Sequence, residues 1–317
     1  MKTEFDNALC TMGAQIQKLF SVMPEEDKRS ACEIRLRTGI PPSITDSSGR
    51  TISYGNERLT PYQVEEAFMH LCGHSVYSHT QELRNGFITV KGGHRAGFGA
   101  RAVYDGDRLT GIREISSINL RIAREVIGCS TQLTDRVFCG GLCGLLVVGV
   151  PSSGKTTQLR DIARYLSESG RRVTVCDERG EIAAMCGCVS PFRLGRCCDV
   201  LTGFAKAEAM LRAVRCLNPQ AIICDEIGSG EEVSALCEAV NAGACVIASV
   251  HASHEEELMK RPQCVKLLKT GAFKRVAFLP KKYLYDEEIK VKDAGDLIEN
   301  HRSVTDRYMR SADRLGA

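Results

Sequence analysis

Between residues 131 and 280 four apolar runs of strand length, GLLVVGV, RRVTVCD, AIICDEI and CVIASVH, are separated by stretches with helical patterns. Parallel strands buried on both faces need such unbroken runs, so the region predicts βαβ units around a mostly parallel sheet. Upstream, over residues 1–130, the pattern differs. An amphipathic helical opening leads into ACEIRLRTGIPPSITD, where apolar and polar positions alternate up to a Pro-Pro turn, which predicts strands. TPYQVEEAFMHLCGHSVYS then predicts a helix with Thr60 as N-cap and Pro61 in the first turn. The following GFITVKGGHRAGFGARAVYDGDRLTGIREISSINLRIARE alternates again and is rich in Gly and Arg, which suits a small sheet. A smaller α+β domain is therefore expected ahead of an α/β domain, with residues 281–317 as a charged tail that is partly helical.

The totals narrow the class. A length of 317 residues suits roughly two domains, each with its own core. Forty-two basic residues stand against 39 acidic ones, a net charge of +3, so bulk charge gives no case for a nucleic-acid partner. No apolar run approaches the ~18 residues that span a bilayer. The opening MKTEFDNALCTMGAQIQKLF carries acids and Gln where a signal peptide needs an apolar centre. The expectation is a cytoplasmic protein that meets a membrane only through partners. In that compartment the 16 cysteines read as reduced thiols. The densest group, Cys186, Cys188, Cys197 and Cys198, is spaced CxC, eight residues, CC, which is not the paired CxxC of tetrahedral zinc, and no structural metal is expected.

Phosphate chemistry is the strongest signal. GVPSSGKT, Gly149 to Thr156, satisfies GxxxxGKT between a predicted strand and a predicted helix. Glycines let the backbone wrap a phosphate so that main-chain N–H groups and the helix N-terminus face its charge. The nucleotide-binding candidates are Gly149, Val150, Pro151, Ser152, Ser153, Gly154, Lys155, Thr156 and Thr157. Lys155 would reach the β- and γ-phosphates of ATP, and the Thr156 hydroxyl would ligate Mg²⁺. AIICDEIG supplies the second strand such a site needs, with Asp225 assigned to magnesium and Glu226 to orienting or deprotonating the attacking water.

Other candidates are weaker singly. VCDERGEIA places Asp177, Glu178 and Glu181 at another strand end, where ligands bind in open α/β sheets; Glu178 or Glu181 would assist the water and Arg179 would make a subunit contact. CVIASVHAS ends on Ser249 and His251, either able to sense a γ-phosphate by hydrogen bonding. His70 and His74 lack the Glu of a zinc-protease motif and read as structural or surface residues. Of Arg35, Arg37, Arg95, Arg101, Arg113, Arg121 and Arg124 in the first domain, Arg101 and Arg121 are candidate arginine fingers toward a neighbouring subunit.

EIRLRTGIPPSI, GGHRAGFGARAV, EISSINLRIAREVIGC, GVPSSGKTTQLRDIAR, CDERGEIA, KAEAMLRAVRCLNPQAIICDEIG and SVHAS, in that order, resemble the stage III sporulation protein AA family over roughly residues 30–280. That family is similar to the motor ATPases of type II and type IV secretion. The resemblance implies a RecA-like P-loop domain, a smaller N-terminal domain and a hexameric ring of this chain. It also implies a motor docked on membrane proteins of the stage III sporulation complex, energising a channel from mother cell to forespore. Four boxes surround the nucleotide in those motors. Lys155 and Thr156 match the P-loop, Asp177 and Glu178 the acidic box, Glu226 the Walker B acid and His251 the histidine box. Cys197–Leu201, CCDVL, departs from the expected Arg-Thr-Asp-Val-Leu, with Arg193 and Arg196 just upstream. Two other readings stay open. One is a RecA-like nucleic-acid motor or binder, although no histidine has an arginine four positions before it and no RRM aromatic pattern is present. The other is a nucleotide-gated scaffold without turnover, against which the intact Glu226 weighs.

Overall fold

The computed structural model describes residues 3–79, 82–83, 86–106, 108–151, 153–185, 187–280 and 288–301. Ser152, Cys186 and most of the charged tail lie outside the described residues. The chain divides into two compact units, Met1–Glu125 with Ala184–Phe192, and Val126–Ala183 with Arg193–Ala317.

The first unit opens with three short helices, α1 (Glu4–Cys10), α2 (Ala14–Leu19) and α3 (Glu25–Ser30). Strands β1 (Ala31–Arg37), β2 (Ser43–Asp46) and β3 (Thr51–Ser53) follow, then α4 (Pro61–Leu71). Strands β4 (Phe87–Val90), β5 (His94–Asp105) and β6 (Arg108–Arg121) complete a sheet of order β3-β2-β1-β6-β5-β4. Its neighbours pair antiparallel throughout. Alternation in β1 sends Ile34 and Leu36 into a core with Phe5, Phe20, Ile88 and Leu120. Helix α4 starts where the sequence places it: the Thr60 hydroxyl accepts the Gln63 N–H at 3.3 Å, and the Gln63 side chain accepts the Thr60 N–H at 2.8 Å, a reciprocal capping box.

The second unit contains α5 (Thr131–Phe138), β7 (Leu145–Val148), α6 (Lys155–Glu168), β8 (Val173–Asp177), β9 (Cys198–Thr202), α7 (Lys206–Leu217), β10 (Ala221–Cys224) and α8 (Gly230–Asn241). It continues with β11 (Cys245–Val250), α9 (Glu255–Lys260), α10 (Pro262–Lys269), β12 (Arg275–Phe278) and β13 (Lys290–Asp293). The sheet order is β13-β12-β7-β11-β10-β8-β9. Each neighbouring pair is parallel except β12 with β13, which is antiparallel. Strands β7, β8 and β10 are buried along their whole length, as their apolar runs require. Leu146, Val148, Ile222 and Val246 share a core with Met210, Leu236, Leu267 and Phe273. Strands β9 and β13 lie at the two edges, where side chains are only partly buried, so CDVLT and KVKD carry no unbroken apolar run. In the region expected as a charged tail, residues 290–293 thus join the sheet and residues 294–301 are helical. Among the described residues no helix is long and apolar enough to cross a membrane.

One buried carboxylate ties the entry of this unit to its phosphate-loop helix. Asp161 of α6 is 4% exposed and accepts from the Gly128 N–H at 3.0 Å, the Ser130 N–H at 2.8 Å, the Ser130 hydroxyl at 2.7 Å and Arg164 Nε at 2.7 Å. Burial alone would raise its pKa, but Arg164 and the donors of Ser130 and Gly128 outweigh that and hold it below the ordinary carboxylate value. A pKa lower in the folded than in the unfolded chain gives stability above the unfolded value, lost as pH falls through the folded one. Asp161→Ala should therefore cost about 3 kcal/mol at neutral pH in urea unfolding, and that cost should shrink below about pH 4. A cost that is the same at both pH values would contradict this anchor.

Candidate functional site at the strand ends

In an open parallel sheet the carboxyl ends of the strands face one crevice, and the strand order decides which loops meet there. Here β11 lies between β7 and β10, so the residues after β11 sit between the phosphate loop and the Asp225–Glu226 pair. The contacts follow from that placement. The Gly149 N–H donates to Val250 O at 3.3 Å, the Glu226 N–H to Ser249 Oγ at 3.2 Å and the Ile227 N–H to Ser249 O at 3.2 Å. Ser249 is 1% exposed and serves as this stitch.

The loop after β7 turns tightly into α6. Gly154 takes φ 92°, a left-handed conformation that lets the loop turn directly into α6. A Cβ on Gly149 would lie 2.3 Å from Ser153 Oγ, so a larger residue there would displace that hydroxyl. That Ser153 hydroxyl is itself buried without a hydrogen-bond partner, an uncommon state for a polar atom and one that a phosphate oxygen would relieve. Thr156 and Thr157 are half-buried in the first turn of α6.

Lys155 is 6% exposed, and its ammonium donates to Gly149 O at 2.9 Å, Val150 O at 2.9 Å and His251 Nδ1 at 2.8 Å. An ammonium only donates, so Nδ1 accepts and the Nε2 proton of His251 faces Glu226 Oε1, with which it is in direct contact. Burial pulls the Lys155 pKa below the ordinary lysine value, against the opposing charge of Glu226. Lys155, His251 and Glu226 thus form one connected line across the ends of three strands.

Beyond Glu226 lies a second buried cation. Lys206, 5% exposed in the first turn of α7, donates to Glu226 O at 2.5 Å. Its Nζ is 3.4 Å from Asp225 Oδ1, 3.6 Å from Glu232 Oε1 and 3.9 Å from Glu178 Oε2. Asp225 Oδ1 accepts no aligned hydrogen bond, so its link to Lys206 is electrostatic. Burial opposes the charge on Lys206, but Asp225, Glu232 and Glu178 outweigh it and raise its pKa. Burial pushes the Asp225 carboxyl above its ordinary value against the pull of Lys206, with Asp177 and Glu181 adding to the rise.

The acidic segment after β8 separates by function. Asp177 is fully buried and its carboxylate accepts the N–H groups of Glu181 at 2.8 Å, Ile182 at 3.2 Å and Ala183 at 2.8 Å, so it folds its own loop. Glu178 is 41% exposed and joins the cluster around Lys206. Arg179 lies 3.8 Å from Glu226 Oε2 within this same chain. Arg101 and Arg121 belong to the first unit, where they are 70% and 72% exposed and pair with Glu114 and Glu33. His70 and His74 stack edge to face, with ring centres 4.8 Å apart. The described cysteines are free thiols. Cys198 opens β9 and burial pushes its thiol up to about 12, while Cys188 is exposed. Among the described residues no three His, Cys, Asp or Glu side chains gather to hold a metal ion.

The sequence profile of the family described as "Sporulation stage III, protein AA" matches residues 4–289. The chain belongs to the stage III sporulation protein AA family. The stage III sporulation protein AA of Bacillus subtilis (strain 168) is 34% identical over 266 residues, covering 82% of this chain and 86% of that protein. In structure the chain is similar to the ATPase DotB of Yersinia pseudotuberculosis, with a TM-score of 0.59 at 16% identity over 96% of this chain and 86% of DotB. It is also similar to the pilus retraction motor PilT crystallised with bound ADP, with a TM-score of 0.58 at 16% identity over 94% of this chain and 88% of PilT. The chain therefore has the α/β fold of DotB and PilT.

Sequence reasoning did not single out Lys206 or Glu232. The available signal was a lysine opening a helix, where its charge opposes the helix dipole and needs compensation from elsewhere. The two acids after β8 are separable by experiment. Asp177→Ala should lower stability by about 2–3 kcal/mol in thermal or urea unfolding, since it orphans three backbone donors, whereas Glu178→Ala should stay within about 0.5 kcal/mol. Equal effects would contradict the division.

Proposed function

We propose that this chain binds ATP with Mg²⁺ at the β7, β10 and β11 strand ends and hydrolyses it there. It would act as the motor of a sporulation secretion-like channel, in a homo-hexameric ring on membrane proteins of the stage III complex. The observation that carries the catalytic part is the Lys155–His251–Glu226 line, which connects a phosphate-loop lysine to an acid at a neighbouring strand end. Family membership supports a role in sporulation and the likeness in fold to DotB and PilT supports a motor, while the ring and the membrane partners are what the family resemblance implies.

The residues divide the work on chemical grounds. The start of α6, entered through Gly154, would present its first backbone N–H groups to the phosphates. Lys155 moves from the carbonyls of Gly149 and Val150 to the β- and γ-phosphates, a better partner for an ammonium than neutral oxygens. Thr156 and Asp225 would hold magnesium, which neutralises the charge that develops on the phosphate oxygens. Once Lys155 leaves, His251 Nδ1 is free to accept a proton, and only then to donate to the γ-phosphate. Glu226 then orients the attacking water and takes its proton. Glu178 stands close enough to Lys206 to support the same acidic cluster. Arg101 and Arg121 remain the candidates for contacts in trans, and Arg179 is placed for a contact in cis.

Lys155→Ala should weaken ATP binding at least about 100-fold, whereas Glu226→Gln should bind ATP normally and turn it over at least about 100-fold more slowly. Phosphate release and binding of a fluorescent ATP analogue, measured on the same preparations, check both. Undiminished turnover in Glu226→Gln would overturn the assignment. Normal ATP binding with no phosphate release by the wild type, alone and with its membrane partner, would favour the nucleotide-gated scaffold.

A further inference from the structure

We infer that Lys206 is a positioning residue for the hydrolytic carboxylate, clamping the peptide of Glu226 and gathering the competing acids away from its side chain. This rests on the proposed hydrolysis reading and names a residue that reading does not require.

The geometry of the clamp is specific. The Glu226 N–H donates to Ser249 Oγ at 3.2 Å, and its carbonyl accepts from Lys206 Nζ at 2.5 Å, so the residue is held on both sides of its Cα. The first anchor comes from β11 and the second from α7. Glu226 is thereby left with side-chain rotation as its main freedom. The charge sorting is equally specific. Asp225, Glu232 and Glu178 lie within 3.4 to 3.9 Å of the Lys206 ammonium. The Glu226 carboxylate instead meets His251 Nε2, with Arg179 at 3.8 Å. One buried cation thus collects three acids and leaves the fourth directed at the phosphate-loop line.

The clamp extends into the next helix. Glu232 Oε2 accepts the N–H groups of Gly228 at 2.7 Å and Ser229 at 2.8 Å, while Oε1 faces Lys206, so the turn from residue 226 to α8 is tied to the same ammonium. A lysine in the first turn of the 12-residue α7 sits at the positive end of the helix dipole. Its charge is unfavourable there without these carboxylates. A packing role alone would be met by an apolar side chain, which would avoid burying a cation.

The test compares full-length Lys206→Met and Lys206→Arg with the wild type. In Lys206→Met, kcat for MgATP should fall about 100-fold, the loss that a misplaced catalytic group incurs. KM and the affinity for a fluorescent ATP analogue should stay within about threefold, because the phosphate loop is untouched. Lys206→Arg should recover most of kcat. Hydrogen exchange over residues 225–232 should quicken in Lys206→Met and return toward wild type in Lys206→Arg. If Lys206→Met does not fold, Lys206→Gln, which keeps a donor without charge, should show the same loss confined to kcat. A kcat within about twofold of wild type would overturn the inference, as would equal losses of affinity and kcat that arginine does not repair. Should the wild type itself fail to hydrolyse ATP, the hydrolysis reading fails. Exchange over 225–232 then still decides the clamp, and unchanged exchange in Lys206→Met overturns it.

Discussion

A charge removed from water must find a partner, and this constraint organises the carboxyl edge of the seven-stranded sheet. Lys155, Asp177, Lys206 and Asp225 are all buried there, each at 6% exposure or less. Asp177 meets the constraint with backbone N–H groups, and Lys206 with carboxylates and a carbonyl. Lys155 meets it with two loop carbonyls and a histidine, which are neutral partners and weaker than an anion. The cation least well matched is therefore the one in the phosphate loop. On the proposed function the underpaired lysine is the part that moves and the fully paired lysine the part that stays.

Strand order is what turns these separate residues into a site. With β11 between β7 and β10, Val250 and His251 meet the phosphate loop while Ser249 and His251 meet Glu226. Any order that separated β7 from β11 would break the Lys155–His251 contact, and any order that separated β11 from β10 would break the contact with Glu226. The hydrogen bonds from Gly149 to Val250 and from Glu226 to Ser249 show how firmly the three strand ends are joined. The chemistry proposed for Glu226 depends on this joint as much as on the carboxylate.

Much of the candidate site was legible because the chemistry proposed for it demands fixed spacing. A backbone that wraps phosphate needs glycine at set positions and a lysine next to the last of them, and Gly149 to Lys155 supply both. Strands β7, β8, β10 and β11 announced themselves as apolar runs because both their faces are covered. Edge strands β9 and β13 did not, since partial exposure removes the apolar signature. Ala184–Phe192 joins the first unit although it lies between β8 and β9, and nothing in its composition marks that excursion. Lys206 escaped notice because the acids that give it meaning, Glu178, Asp225 and Glu232, lie about 20 to 30 residues away along the chain and meet only once the sheet is assembled. Asp177 showed the opposite failure, an acid at a strand end that looked chemical and is committed to its own loop.

In the proposed cycle the phosphate-loop lysine moves while the second lysine stays. A structure of the full chain with Mg²⁺ and a non-hydrolysable ATP analogue tests it most directly. Lys155 Nζ should then lie on the β- and γ-phosphates and detached from His251, with Lys206 still on the Glu226 carbonyl and the Glu226 carboxylate facing the γ-phosphate. Phosphates bound away from the Gly149–Thr156 loop, or Lys155 still held by His251 with the analogue in place, would contradict it.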